Sequence, residues 1–209
     1  MERIDNFFKK FHGGYFVFIG VAIFLIGLII AILVEPNFSL FIHHISDMGA
    51  PTNINYIIFN ICWIITGFFV IIFFIDFTRY LQNKGANTKG TWLCFILGSV
   101  SAFSMILLAI FNKIDSPDMH LNSEYVFFFT GILYLIIYAI LEFKIPEFSK
   151  LQAISNLIVA FLFALYLILL ILNKINPGLC PEFQSFAEWL FLFGNLAWFI
   201  ENGILTLKR

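Results

Sequence analysis

The sequence predicts an all-α integral membrane protein, a single domain spanning residues 1–209 and built as a six-transmembrane-helix bundle with both termini cytoplasmic. Three observations carry that reading. Of its residues, 61% are hydrophobic and only 12% charged, with 29 phenylalanines, whereas a soluble domain averages roughly 25% charged residues. A core this small cannot hide so much apolar surface from water, so the solvent for most of the chain is lipid. Six apolar runs each approach the ~20 residues needed to cross the hydrocarbon layer: residues 15–34, 56–75, 91–111, 125–143, 153–172 and 186–205. Finally, the basic residues alternate between loops. Arg3, Lys9, Lys10, Arg79, Lys84, Lys89, Lys144, Lys150, Lys208 and Arg209 fall on one side, and only Lys113 and Lys174 on the other. Such a bias over short loops marks the basic side as cytoplasmic.

The first run is too long for the apolar stretch of a cleaved signal and is not followed by an obvious small-residue cleavage site, so it reads as a permanent span. It leads into the stretch HHISDMGAPTN, residues 43–53. There Ser46 or Asp47 can bond backbone amides of a turn, Gly49 can take positive φ, and Pro51 ends the turn. Thr52 or Asn53 then caps the second span. Phe38, Leu40, Phe41, Ile42 and Ile45 place part of this loop at the membrane interface.

Within the spans, polar side chains are expensive and face the bundle interior or a wet cavity. In the second, Asn53, Tyr56, Asn60, Trp63 and Gly67 share one helical face. The third offers Gly98 and Ala102, small residues that allow close helix approach, beside Ser101 and Ser104. In the fourth, Gly131, Tyr134, Tyr138 and Glu142 align, and in the fifth Asn156, Ala160 and Ala164. In the sixth, Glu188, Asn195 and Asn202 repeat every seven residues, and packing and a polar cavity account for Glu188 and Asn195 equally well. Glu142 and Glu201 lie near the cytoplasmic ends, where they are expected to snorkel to water. Cys62 and Cys94 sit in apolar runs and Cys180 alone in a loop, without metal-type spacing.

The outer loops hold the remaining chemistry: Glu35, His43, His44, Ser46 and Asp47, then Asp115, Asp118, His120 and Glu124, then Glu182 shortly before Glu188. The candidate catalytic residues are His120, Asp47, Ser46 and Glu188. The candidate lipid-binding or structural set is Ser46, Asp47, Gly49, Asn60, His120, Glu188, Trp189 and Asn195. No fixed-spacing metal or hydrolase motif is present, so neither a metal nor a cofactor is expected. His43, His44, Asp118 and His120 are the donors a metal would use.

Several short motifs resemble the Frag/DRAM/Sfk proteins, which include damage-regulated autophagy modulators and GPI-anchor lipid remodelling proteins. They are ISDMGAP at 45–51, IFN at 58–60, TRY at 78–80, FN at 111–112 with His120 and Phe128, and EW at 188–189. The chain departs from that pattern at His43 and His44, where relatives carry a proline-aromatic pair, and at Asn53, where they often carry glutamate. The resemblance implies residence in the plasma membrane or an endomembrane (Golgi- or lysosome-like), or the cell membrane of a prokaryote, and a lipid-linked role.

Two functions compete. One is a protein that binds membrane lipids or other membrane proteins and regulates lipid organisation or membrane traffic. The other is a lipid-modifying hydrolase or acyltransferase with its site at the outer face. In it His43, His44 or His120 is the base, Asp47 or Asp118 orients it, and Glu188 lies nearby. A channel or transporter has less support, because no charge sits clearly at mid-membrane. Nucleic acid is not an expected partner.

Overall fold

A computed structural model describes residues 7–208 apart from residue 9, so Arg3, Lys9 and Arg209 lie outside the described residues. The described residues are helical with no strand. The elements are α1 (Gly13–Leu33), the single turn α2 (Ile45–Met48), α3 (Tyr56–Asn83), α4 (Thr88–Ile110), α5 (Pro117–Phe143), α6 (Lys150–Ile175) and α7 (Pro181–Leu207). All but α2 are long and apolar enough to cross a membrane. In hydrocarbon a helix is the only open segment that satisfies its own backbone, so six apolar runs become six helices.

Most helices overrun their apolar runs. The second span continues to Asn83 and the fourth starts at Pro117, eight residues before the apolar stretch. Polar flanks keep the helix going into the interface because local caps, not the end of hydrophobicity, stop it. Asn87 accepts a hydrogen bond from the Gly90 amide (3.0 Å) to start α4, and Ser149 from that of Gln152 (3.2 Å) to start α6. Proline opens both α5 and α7, where its missing N–H costs nothing.

The six long helices form a closed ring in the order α1, α3, α4, α5, α6, α7, with α7 packing back against α1. Lipid is as apolar as leucine, so the ring is held by tight packing and interhelical hydrogen bonds rather than by a hydrophobic drive. Its outer wall is a belt of exposed side chains such as Ile26, Phe68, Phe103, Phe129, Phe161 and Phe193. Its inner wall is aromatic, with Phe73, Phe74, Phe77, Tyr134, Tyr138 and Trp198 fully buried. Where α7 meets α1, a Cβ on Gly14 would fall inside contact distance of the Gly203 carbonyl oxygen. Only glycine permits that approach.

One end of the ring carries the α3–α4 and α5–α6 connections, tied together by Lys84 and Glu147 at 2.6 Å. Their hydrogen bond and charge hold the Lys84 ammonium above its usual pKa. Glu142 near this end does not snorkel. It is fully buried and accepts the Asn156 side-chain N–H (2.7 Å), while Asn156 Oδ1 accepts the Trp198 indole N–H (2.6 Å). A partner on a facing helix is nearer than water. Glu201 is half-buried and accepts the Ser155 hydroxyl hydrogen (2.7 Å).

Candidate functional site

At the opposite end, the α1–α3 loop folds down onto the first two turns of α7. His44 caps α2, and its backbone N–H donates to Asp47 Oδ2 at 2.6 Å. Asp47 also pairs with Lys113 from the α4–α5 loop. The turn therefore forms through Asp47, but Gly49 has φ −94° rather than a positive value. A Cβ there would come within 2.5 Å of Asn60 Oδ1, so a larger residue would have to turn the Asn60 amide aside. Asn60 donates to the Gly49 carbonyl at 3.0 Å. Nor does Asn53 cap α3. Its amide donates to Ala31 O (3.0 Å) and Glu35 Oε2 (2.7 Å), and Asn55 precedes the helix with no side-chain cap.

Four contacts dock the loop on α7. Phe41 stacks on Phe186 with ring centroids 4.8 Å apart. The Trp189 indole N–H donates to the His43 carbonyl at 2.8 Å. His44 Nδ1 lies 2.6 Å from Glu188 Oε2, and its Nε2 lies 3.0 Å from Ser185 Oγ. The carboxylate only accepts, so Nδ1 carries a hydrogen. Nε2 accepts from Ser185 when the ring is neutral and donates to it when the ring is charged.

Burial depresses the His44 pKa, but the hydrogen bond and negative charge of Glu188 outweigh it, and the net shift is upward. Asp47 adds to the rise and Lys113 opposes it. A raised folded-state pKa means that protonated His44 stabilises the fold. That stabilisation is complete below the ordinary histidine value and fades as pH climbs through the folded value. The difference in melting temperature between the native chain and His44→Gln, measured from pH 5.5 to 8.5, is therefore expected to be largest at the acidic end and to shrink as pH rises.

Beneath the docked loop lies a cavity with about 40 Å³ open to the centre of a water molecule, room for a few waters or one compact polar group. Ser46, Gly49, Asn60, Asn112, His120, Glu124 and Glu188 supply its polar lining. Phe59, Trp63, Phe127, Phe128 and Phe191 supply aromatic walls. His120 Nδ1 lies 2.7 Å from the Phe111 carbonyl, so in the neutral ring Nδ1 carries the hydrogen and Nε2 presents a lone pair. That Nε2 is buried and has no hydrogen-bond partner among the described residues. Glu124 accepts the Tyr166 hydroxyl hydrogen at 3.2 Å through Oε1. Directly adjoining is a second, almost wholly apolar cavity of about 30 Å³, which shares Trp63, Phe127 and Phe191 with the first and reaches Asn195.

Of the residues singled out from sequence, Ser46, Gly49, Asn60, His120 and Glu188 meet around the first cavity, and Asn195 lines the second. Asp47 is engaged in the loop and with Lys113, and Trp189 serves as a docking donor. The metal donors do not converge. His43 faces Glu35 at 3.5 Å, His44 faces Glu188, and Asp118 is exposed. Among the described residues no three His, Cys, Asp or Glu side chains are grouped to hold a metal ion. Sequence reasoning named Glu124 without giving it a role and missed Tyr166 and Ser185. Glu124 stands one turn after His120, and Ser185 three residues before Glu188, so helical spacing alone was a usable signal.

Fold and site together define a six-span helical membrane protein with a small cavity at one end of its bundle, into which several polar side chains converge. The chain belongs to the DUF998 family, whose model, described as "Protein of unknown function (DUF998)", matches residues 18–200. That match overturns the resemblance to the Frag/DRAM/Sfk proteins. Motifs of two to seven residues recur in unrelated apolar helices, whereas the family match runs through all six spans. No curated protein and no solved structure matches the chain.

Proposed function

We propose that this protein binds a membrane amphiphile, seating its polar head in the cavity beneath the α1–α3 loop and the start of its apolar chain in the adjoining cavity. One observation carries the reading: a mainly apolar cavity into which several polar side chains converge shares a wall of Trp63, Phe127 and Phe191 with a cavity almost without polar groups. That succession matches a molecule with a polar end and an apolar end, and ligand sites are commonly apolar pockets with a few convergent polar groups. With the basic end cytoplasmic, the head site opens toward the outer leaflet. Ala109 lines the head cavity, so Ala109→Trp fills it. After purification in mild detergent, extraction and mass spectrometry are expected to find an amphiphile retained by the native chain. At least tenfold less should remain on the variant, with the smaller Ala109→Leu intermediate. Equal retention by all three would sink the reading.

A second reading, acyl transfer, has its own observation. Ser185, His44 and Glu188 stand in hydroxyl–imidazole–carboxylate sequence at 3.0 and 2.6 Å, the relay used to activate a serine nucleophile. Ser185 is only 2% exposed and is not part of the cavity wall, so the first reading is preferred. Labelling by a fluorophosphonate probe that disappears in Ser185→Ala would reverse that preference.

A further inference from the structure

Building on the amphiphile reading, we propose that the head cavity selects a primary ammonium group. Three side chains with acceptor atoms line it, His120 and Glu124 one turn apart on α5 and Glu188 on α7. His120 Nε2 is 93% buried with its residue and has no partner among the described residues. Glu124 is 8% exposed and uses only Oε1, on the Tyr166 hydroxyl. Glu188 is 5% exposed and uses Oε2 on His44. The second oxygen of each carboxylate makes no hydrogen bond to a described residue. One acceptor from each of the three side chains matches the three N–H donors of an ammonium, which has no acceptor of its own.

Charge points the same way. The cavity lining contains no lysine or arginine. The nearby Lys113 is already paired with Asp47, and His44 answers Glu188. Glu124 is left with a neutral phenol, and a buried carboxylate keeps its charge only beside a cation. A ligand cation meets that need, and the faces of Trp63, Phe127 and Phe191 add cation–π attraction. A phosphate at the ammonium's position would meet two carboxylates and no lysine or arginine. A trimethylammonium would leave all three acceptors without a donor.

The ammonium can belong to a lipid headgroup or to a small free amine, and one experiment separates them. The full-length chain in detergent is titrated, with native mass spectrometry as the readout, against phosphatidylethanolamine, phosphatidylcholine and phosphatidylglycerol of equal chain length. Ethanolamine is then added as a competitor. The ethanolamine lipid is expected to bind at least tenfold more tightly than either of the others, and Glu124→Gln to abolish the difference while keeping the Tyr166 contact. Glu142→Gln, at the other end of the bundle, should keep it. Displacement by millimolar ethanolamine supports the proposal and assigns recognition to the ammonium alone. Absence of displacement supports it with the lipid as the ligand. Equal or tighter binding of the choline or glycerol lipid, or a Glu124→Gln variant with unchanged preference, overturns the ammonium assignment and leaves the amphiphile reading standing. If no lipid is retained with any head, both fall.

Discussion

Glu188→Ala is expected to destabilise the chain by about 3 kcal/mol, the scale seen when one partner of a buried charged pair is removed. Glu188 is where the docked loop, the helix α7 and the cavity meet. Its carboxylate holds the His44 imidazole at 2.6 Å. Without it, a largely buried ring loses its acceptor, and the turn that His44 caps loses its anchor. Glu188→Gln keeps an acceptor oxygen but not the charge, so it should fall between the native chain and the alanine variant. Ser185→Ala, which removes one hydrogen bond to the His44 ring, should cost less, about 1.5 kcal/mol. Reversible unfolding in detergent micelles gives the three values. Trp189, whose indole N–H donates to the loop at His43, supplies a local readout, because undocking should shift its emission to the red. Identical unfolding curves for Glu188→Ala and the native chain would show that the loop does not depend on this contact.

The second large effect is expected at the seam of the ring. Gly14→Ala puts a methyl group against the Gly203 carbonyl oxygen, a backbone atom that no side-chain rotation can move aside. Overpacking of this kind typically costs about 1–3 kcal/mol, and a backbone obstacle belongs at the upper end of that range. Gly14→Leu should prevent α7 from closing on α1 altogether. Gly20→Ala on the same helix is the comparison, since its Cβ would find the Phe69 Cβ at 3.1 Å and nothing else within 3.5 Å. Crosslinking between cysteines introduced in α1 and α7 should fall for the Gly14 variants and hold for Gly20→Ala. Equal crosslinking in all of them would mean the helices approach differently.

The spans were legible because lipid imposes one rule on every residue that faces it. Their ends were not, because Asn87, Ser149 and the helix-opening prolines act locally and cannot be ranked by hydropathy. His120, Glu188, Ser46, Gly49 and Asn60 could be selected as polar or special residues in an apolar chain, and they do line one cavity. Which face each partner chose was hidden. His44 reaches across more than 140 residues of sequence to Ser185 and Glu188, and nothing in its neighbourhood names that target. Its departure from the Frag/DRAM/Sfk pattern carries no weight, because the chain belongs to another family. Glu142 illustrates the opposite error. Its place near a helix end suggested water, yet it is buried and Asn156 on the next helix donates to it.

The closing of the ring by α7 also sets an order of assembly. Helices α1 to α6 each lie beside their neighbour in sequence, the short α2 aside, and can pair as they are made. The cavity cannot form until α7 arrives, because Glu188 and Phe191 belong to it and the α1–α3 loop has its docking contacts there. During synthesis the loop and the inner face of α1 therefore wait, unsatisfied, until α7 is made. A ribosome that stops early leaves a half-built barrel with buried carboxylates and glycine seams open to lipid, the kind of intermediate that membrane quality control removes.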